Sequence, residues 1–184
     1  MRAMDSLTGS ASTFSSGMFP AINWLTSYSL YTDNLRDYFV KQYGKEWVRD
    51  VAKSMAILQE EAELEEIVRL VGLDALSPES RIVMETARAI REDFLHQNAF
   101  HEVDTYSSFK KMVKLMELIM QWHDLAVAAQ KAGVPVLEIA GMPVRERIAR
   151  AKFIHEDKLG ELENIKREIA EGFKSLTGKV AAGA

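Results

Sequence analysis

Four histidines, His96, His101, His123 and His155, are the residues of this 184-residue chain best suited to metal binding or proton transfer. A helical zinc site needs His-Glu-x-x-His, because only that spacing puts two imidazoles on one face of a helix. Here His101-Glu102 meets Thr105, and His155-Glu156 meets Leu159, where the second histidine belongs. His96 and His101 flank one stretch, but two nitrogens without a nearby third ligand make poor zinc chemistry. With no cysteines, thiolate metal sites and disulfides are excluded as well. The histidines read as surface or internally satisfied residues, with no metal site.

Phosphate chemistry meets the same end. A phosphate loop requires Gly-x-x-x-x-Gly-Lys-Ser/Thr after a strand, so that backbone N–H groups curl around the phosphates. The nearest match, Gly172 to Lys179, has one residue too many between its glycines and places Val180 where a magnesium-binding hydroxyl belongs. It also follows a helical pattern. No serine or threonine lies in a nucleophile motif with histidine and acid partners. The carboxylates fall on polar helical faces, and the acidic stretch 60–66 reads as solvated. The chain carries no self-sufficient active site and no catalytic residue of its own.

Aromatic and flexible apolar side chains offer binding chemistry instead. Met55, Met84, Met112, Met116 and Met120 are able to form an adaptable partner groove, but their helical spacing reads as core. The aromatics at 19–31 have the same core reading. Phe100 differs, because it sits among Asn98, His101 and Glu102 in a polar loop, where the domain's own core does not account for it.

The elements that must position these residues are helices. Hydrophobic content of 47% and charged content of 27% suit one ordinary globular domain. A net charge of −4 lacks the basic excess of a nucleic-acid partner. No apolar run approaches the ~18 residues that span a bilayer, and no signal peptide is evident, so a soluble, intracellular chain is expected. Between Ser6 and Gly17, nine of twelve residues are Ser, Thr or Gly, so 1–18 reads as a flexible, appended expression leader. An ordered aromatic loop follows at 19–31. Helices are expected over about 33–43, 46–70, 78–97, 104–131, 143–153 and 156–176, with a short helical turn at 134–141 and a frayed tail at 177–184. The expected fold is all-α, an irregular bundle of about six to seven helices. The 78–97 helix is marked by Ser77 as N-cap, Pro78 at its first position and Glu79 against the dipole. Val83, Ala87, Ile90 and Phe94 repeat along its apolar face.

Four strings carry a resemblance: Phe-Pro-Ala-Ile-Asn-Trp-Leu-Thr-Ser-Tyr-Ser-Leu-Tyr at 19–31, Ala-Ile-Leu-Gln-Glu-Glu-Ala-Glu-Leu at 56–64, Ile-Val-Arg-Leu-Val-Gly-Leu-Asp-Ala-Leu-Ser-Pro-Glu at 67–79, and Arg-Glu-Asp-Phe-Leu-His-Gln-Asn-Ala-Phe-His-Glu-Val-Asp-Thr-Tyr at 91–106. Over about 19–176 the chain resembles the C-terminal domain of the catalytic A subunit of archaeal-type (A-type, V-like) ATP synthases. The resemblance implies an excised domain, whose phosphate loop, magnesium-binding acid and catalytic glutamate would lie upstream. ATP or ADP with magnesium is then expected in the complete subunit and no cofactor on this piece, which alone should hydrolyse nothing. Phe19 and Phe100 match the two aromatics that sandwich adenine in this family and its F-type relatives. Asp74, Ala75, Leu76, Ser77, Pro78, Glu79 and Ser80 fall where the F-type catalytic subunit has its acidic rotor-contacting loop. Ala75, Pro78 and Ser80 replace residues of that loop and thin its charge, so the implied contact is one of shape and packing. The implied partners are the B subunits, the central stalk and the remainder of the A subunit, in the cytoplasm and peripheral to the membrane. A free-standing helical adaptor that binds a partner helix is the competing expectation.

Overall fold

The computed structural model describes residues 32–183, and every regular element among them is helical. Seven α-helices occur among the described residues: α1 (Thr32–Tyr43), α2 (Lys45–Val71), α3 (Pro78–Ala89), α4 (Phe109–Lys131), α5 (Val136–Ala140), α6 (Val144–Arg150) and α7 (Gly160–Gly183). Helix α4 is the central element and packs against α2, α3 and α7. Its Leu115, Met116, Leu118, Ile119, Met120 and Trp122 are buried, as are Leu162, Ile165, Ile169 and Phe173 of α7. The expected all-α bundle is therefore present, with the most apolar helix at its centre.

Helix α2 buries a mixed face. The residues it buries are Asp50, Ser54, Ile57, Leu58, Glu61 and Leu64, at helical spacing but half of them polar. Met55, whose spacing reads as core, is exposed, as is Ile67. Glu61 lies inside the stretch expected to be solvated, yet it is buried and paired with Arg91 at 2.7 Å. Gly72 ends this helix at φ 86, a conformation costly for other residues, and its N–H reaches the Val68 carbonyl at 2.9 Å.

The helix expected over 78–97 is two structures in series. After α3 the chain widens into a π-helical turn at Ile90–Leu95, closed by the His96 N–H on the Arg91 carbonyl five residues back, at 2.8 Å. In that turn Asp93 pairs with Arg145 of α6 at 3.6 Å, both largely buried. Phe94 and Leu95 pack onto the core. Helix α4 also starts later than Asp104 or Thr105. Its N-cap is Ser108, whose Oγ accepts the Lys111 N–H at 3.1 Å. Glu156 holds Ser108 in place, accepting its N–H at 2.8 Å and its hydroxyl at 2.7 Å. Asp104 is occupied elsewhere, accepting the Asn98 N–H.

The 143–153 segment is α6 followed by a 3-10 turn at Ala151–Phe153, and Glu156–Lys158 forms another before α7. The last helix, expected to end near 176, runs to Gly183. Among the methionines, Met116 and Met120 are core and Met55 is exposed, while Met84 packs against the core from its edge.

Candidate functional site

Two loops, one at each end of α3 and its π-helical continuation, hold the candidate residues within the described chain. At roughly 1.5 Å per residue the connecting helix places them some 25 Å apart. The first loop leaves Gly72 through a 3-10 turn of Leu73, Asp74 and Ala75. Ser77 then caps α3, its Oγ accepting the Ser80 N–H at 3.1 Å and lying 2.9 Å from the Ser80 hydroxyl. Pro78 occupies the start of the helix, and Glu79 stands in the first turn. The turn is tied back by Arg81, whose Nη2 donates to the Asp74 carbonyl at 3.1 Å and lies 3.4 Å from its carboxylate.

Leu76 is only 7% exposed. It lines an open groove with Pro78, Arg81, Val134, Pro135 and Leu137. Around this end Leu70, Val71, Leu73 and Leu137 are exposed. The Asp74–Ser80 loop itself exposes Asp74, Ala75, Ser77, Pro78 and Glu79, so its own surface is mixed and the exposed apolar side chains lie outside it.

The second loop runs from His96 to Ser108 and carries Phe100, which is 99% exposed. The backbone beneath it is closely tied. Asn98 Oδ1 accepts the Phe100 N–H at 3.0 Å, and the Asn98 N–H donates to Asp104 Oδ2 at 2.8 Å. His101 Nδ1 accepts the N–H groups of Val103 and Asp104 at 3.1 and 3.2 Å. The His101 ring lies 4.4 Å from that of Phe153. Lys152 donates to the Glu92 and His96 carbonyls at 2.7 and 3.2 Å, closing the π-helical turn from outside. A large aromatic face is thereby presented to solvent on a fixed mount, with Tyr106 also exposed on the same loop. Such a face suits stacking on a planar ring and contains no chemistry for bond making.

The remaining candidates do not join these loops into a reactive centre. Among the described residues no group of three His, Asp or Glu is placed to hold a metal ion. His123 is buried between α3 and α4, its Nδ1 at 2.8 Å from the Thr86 hydroxyl, and burial and then the nearby Lys53 pull its pKa down to about 4. His155 caps the 3-10 turn at Glu156–Lys158. Gly172 and Gly178 lie within α7, as a phosphate loop could not. No helix among the described residues is long and apolar enough to cross a membrane. Phe19 lies outside the described residues, as does the whole 19–31 aromatic stretch.

Sequence reasoning found Phe100 but not the residues that hold it. The Asn98 side chain bonding the backbone two residues on is a local pattern, and a turn search at Asn-x-Phe would have marked it. Asp104 bonds six residues back within the same loop, whereas Lys152 and Glu156 act from across the fold and leave no local signal.

The family model described as the C-terminal domain of V and A type ATP synthase matches residues 36–133, which include both loops. The V-type ATP synthase alpha chain of Thermoanaerobacter pseudethanolicus is 54% identical over 166 residues, 90% of this chain and 28% of that protein. The alpha chain of Acetivibrio thermocellus is 49% identical over 162 residues, 88% of this chain and 28% of the relative. That of Clostridium novyi is 52% identical over 159 residues, 86% and 27%. This chain therefore spans little more than a quarter of the length of these relatives. These relatives are bacterial. By the family match and by these relatives, the chain belongs to the C-terminal domain family of V- and A-type ATP synthases.

Proposed function

We propose that this domain couples the position of a rotating shaft to the adenine end of a nucleotide site in the complete A subunit of a V/A-type ATP synthase. The observation that carries the proposal is the pairing of two differently built ends on one helix. At one end an aromatic face, Phe100, is wholly exposed on a loop fixed by hydrogen bonds. At the other, Leu70, Val71 and Leu73 are exposed on the chain that leads into the Asp74–Ser80 loop, and the exposed Leu137 lines the groove beside it. Helix α3 and its π-helical turn connect them and bury Ile82, Val83, Ala87 and Ile90 against the core. A packed helix carries a displacement from end to end, because close-packed interiors do not deform continuously.

In this reading Phe100 stacks on the adenine of ATP or ADP, with Phe19 as the opposite face. Magnesium, the phosphates and the catalytic glutamate belong to the rest of the subunit. The apolar patch seats the central stalk, the B subunits flank the domain, and the assembly is peripheral to the membrane. The test is nucleotide titration and rotation of the full-length subunit and its assembled complex. Phe100→Ala should weaken ATP binding and spare assembly. Unchanged ATP affinity would remove adenine contact from the domain's role.

A further inference from the structure

We infer that Lys111 sets the position of Phe100, as the shared counter-charge of Asp104 and Glu156. This deepens the adenine-contact reading above and rests on it for its consequence in the whole subunit. Lys110 and Lys111 are adjacent in the first turn of α4, yet Lys110 is exposed while Lys111 is 0% exposed. The Lys111 Nζ makes no hydrogen bond. A buried ammonium without hydrogen bonds is costly and persists only where neighbouring charge offsets it. The charges that act on it are the carboxylates of Glu156 and Asp104, which oppose the lowering of its pKa by burial.

Each carboxylate is the anchor of one half of the Phe100 loop. Asp104, itself buried, accepts the Asn98 N–H at 2.8 Å, and Asn98 Oδ1 accepts the Phe100 N–H at 3.0 Å. Glu156 accepts the Ser108 N–H and hydroxyl, and Ser108 Oγ accepts the Lys111 N–H at 3.1 Å. The direction of the loop on both sides of Phe100 therefore traces to two anions that share one cation. Without that cation Asp104 keeps only the Asn98 N–H to offset the burial of its charge. Lys111 touches no reacting group; it is a positioning residue.

The test is residue-resolved amide hydrogen exchange on this 184-residue chain and on Lys111→Met, Asp104→Asn and the double variant. Lys111→Met should speed exchange at Asn98, Phe100 and Ser108 on the order of 10-fold, with Ile165 and Ile169 in α7 within about twofold of the parent. Adding Asp104→Asn keeps an acceptor for the Asn98 N–H while removing the orphaned charge, so Asn98 and Phe100 should return towards the parent rates. A packing role for Lys111 gives no such rescue. Exchange that rises uniformly, stays unchanged, or is not restored in the double variant overturns the inference. If Lys111→Met does not fold, the double variant decides: folded with Phe100 protected supports it, unfolded overturns it. In the full-length subunit, Lys111→Met should weaken ATP binding about 10-fold, or 1.4 kcal/mol, and leave inorganic tripolyphosphate binding unchanged. Faster loop exchange with unaltered ATP affinity keeps Lys111 as the positioning residue and removes the adenine reading instead.

Discussion

The Thr86 hydroxyl lies 2.8 Å from Nδ1 of His123 in the buried seam between α3 and α4, and the same oxygen donates to the Ile82 carbonyl at 2.8 Å. A hydroxyl has one proton to give. With that proton on Ile82, the His123 Nδ1–H donates to Thr86, and because burial lowers the ring's pKa to about 4 it is the neutral Nδ1–H tautomer near neutral pH. The imidazole thus ties the middle of the connecting helix to the central helix without adding charge to the core.

This arrangement sets a pH dependence. Burial, with the nearby Lys53, pulls the His123 pKa from 6.5 to about 4, so the unfolded chain takes up the proton first as pH falls. Stability is full above pH 6.5 and declines between there and about pH 4, by up to about 3 kcal/mol at 1.36 kcal/mol per pKa unit. Urea unfolding of the parent and His123→Gln at pH 7 and pH 4.5 measures it. The variant should show a shallower loss of stability on acidification. Equal slopes would place the acid sensitivity in the carboxylates.

Phe100→Ala should leave the melting temperature of this chain within about 1 °C, since the ring is 99% exposed and buries nothing here. On the proposed adenine contact, the same change in the full-length subunit should cost roughly 1–3 kcal/mol of stacking and raise the ATP dissociation constant about 5- to 150-fold. Differential scanning calorimetry of this chain, beside nucleotide titration of the subunit, separates the two.

At the other end the informative residues are Leu73 and Leu137, because both are exposed, whereas Leu76 is in the core and its loss would damage the fold itself. Leu73→Ser with Leu137→Ser should change stability by no more than about 0.5 kcal/mol per site. It should weaken seating of the shaft while nucleotide affinity of the isolated subunit stays the same. Stalk-binding assays alongside nucleotide titration check this. A loss of nucleotide affinity equal to that of Phe100→Ala would reduce the connecting helix to a common support.

The Glu61–Arg91 pair should behave as a buried acid with a partly exposed partner. Arg91→Met leaves Glu61 buried and alone and should cost about 2 kcal/mol, below the full range for buried pairs because solvent screens Arg91. Adding Glu61→Gln should recover about half of that loss in a double-mutant cycle read by denaturant unfolding. Full additivity of the two changes would show that the pair is uncoupled.

What was legible in the sequence is what short stretches of chain encode. The all-α class and the order of the helices follow from apolar periodicity. Ser77 and Pro78 mark the start of α3 because an N-cap bond spans three residues, as Ser77 to Ser80 does. The four matching strings and the isolated aromatic Phe100 led to the family that residues 36–133 match.

Tertiary structure alone decided where charge goes and how the candidate loop is held. The acidic run of α2 reads as solvated because periodicity cannot say that Glu61 will meet Arg91, 30 residues away. Ser108 caps α4 and is held there by Glu156, which reaches it from 48 residues further along the chain. The adjacent lysines Lys110 and Lys111 are alike in sequence, and only packing buries one of them. Helix signals act over one turn, and the chain spells them out locally. The burial of a polar group depends on which distant helix arrives to oppose it, and that is settled only when the whole bundle closes.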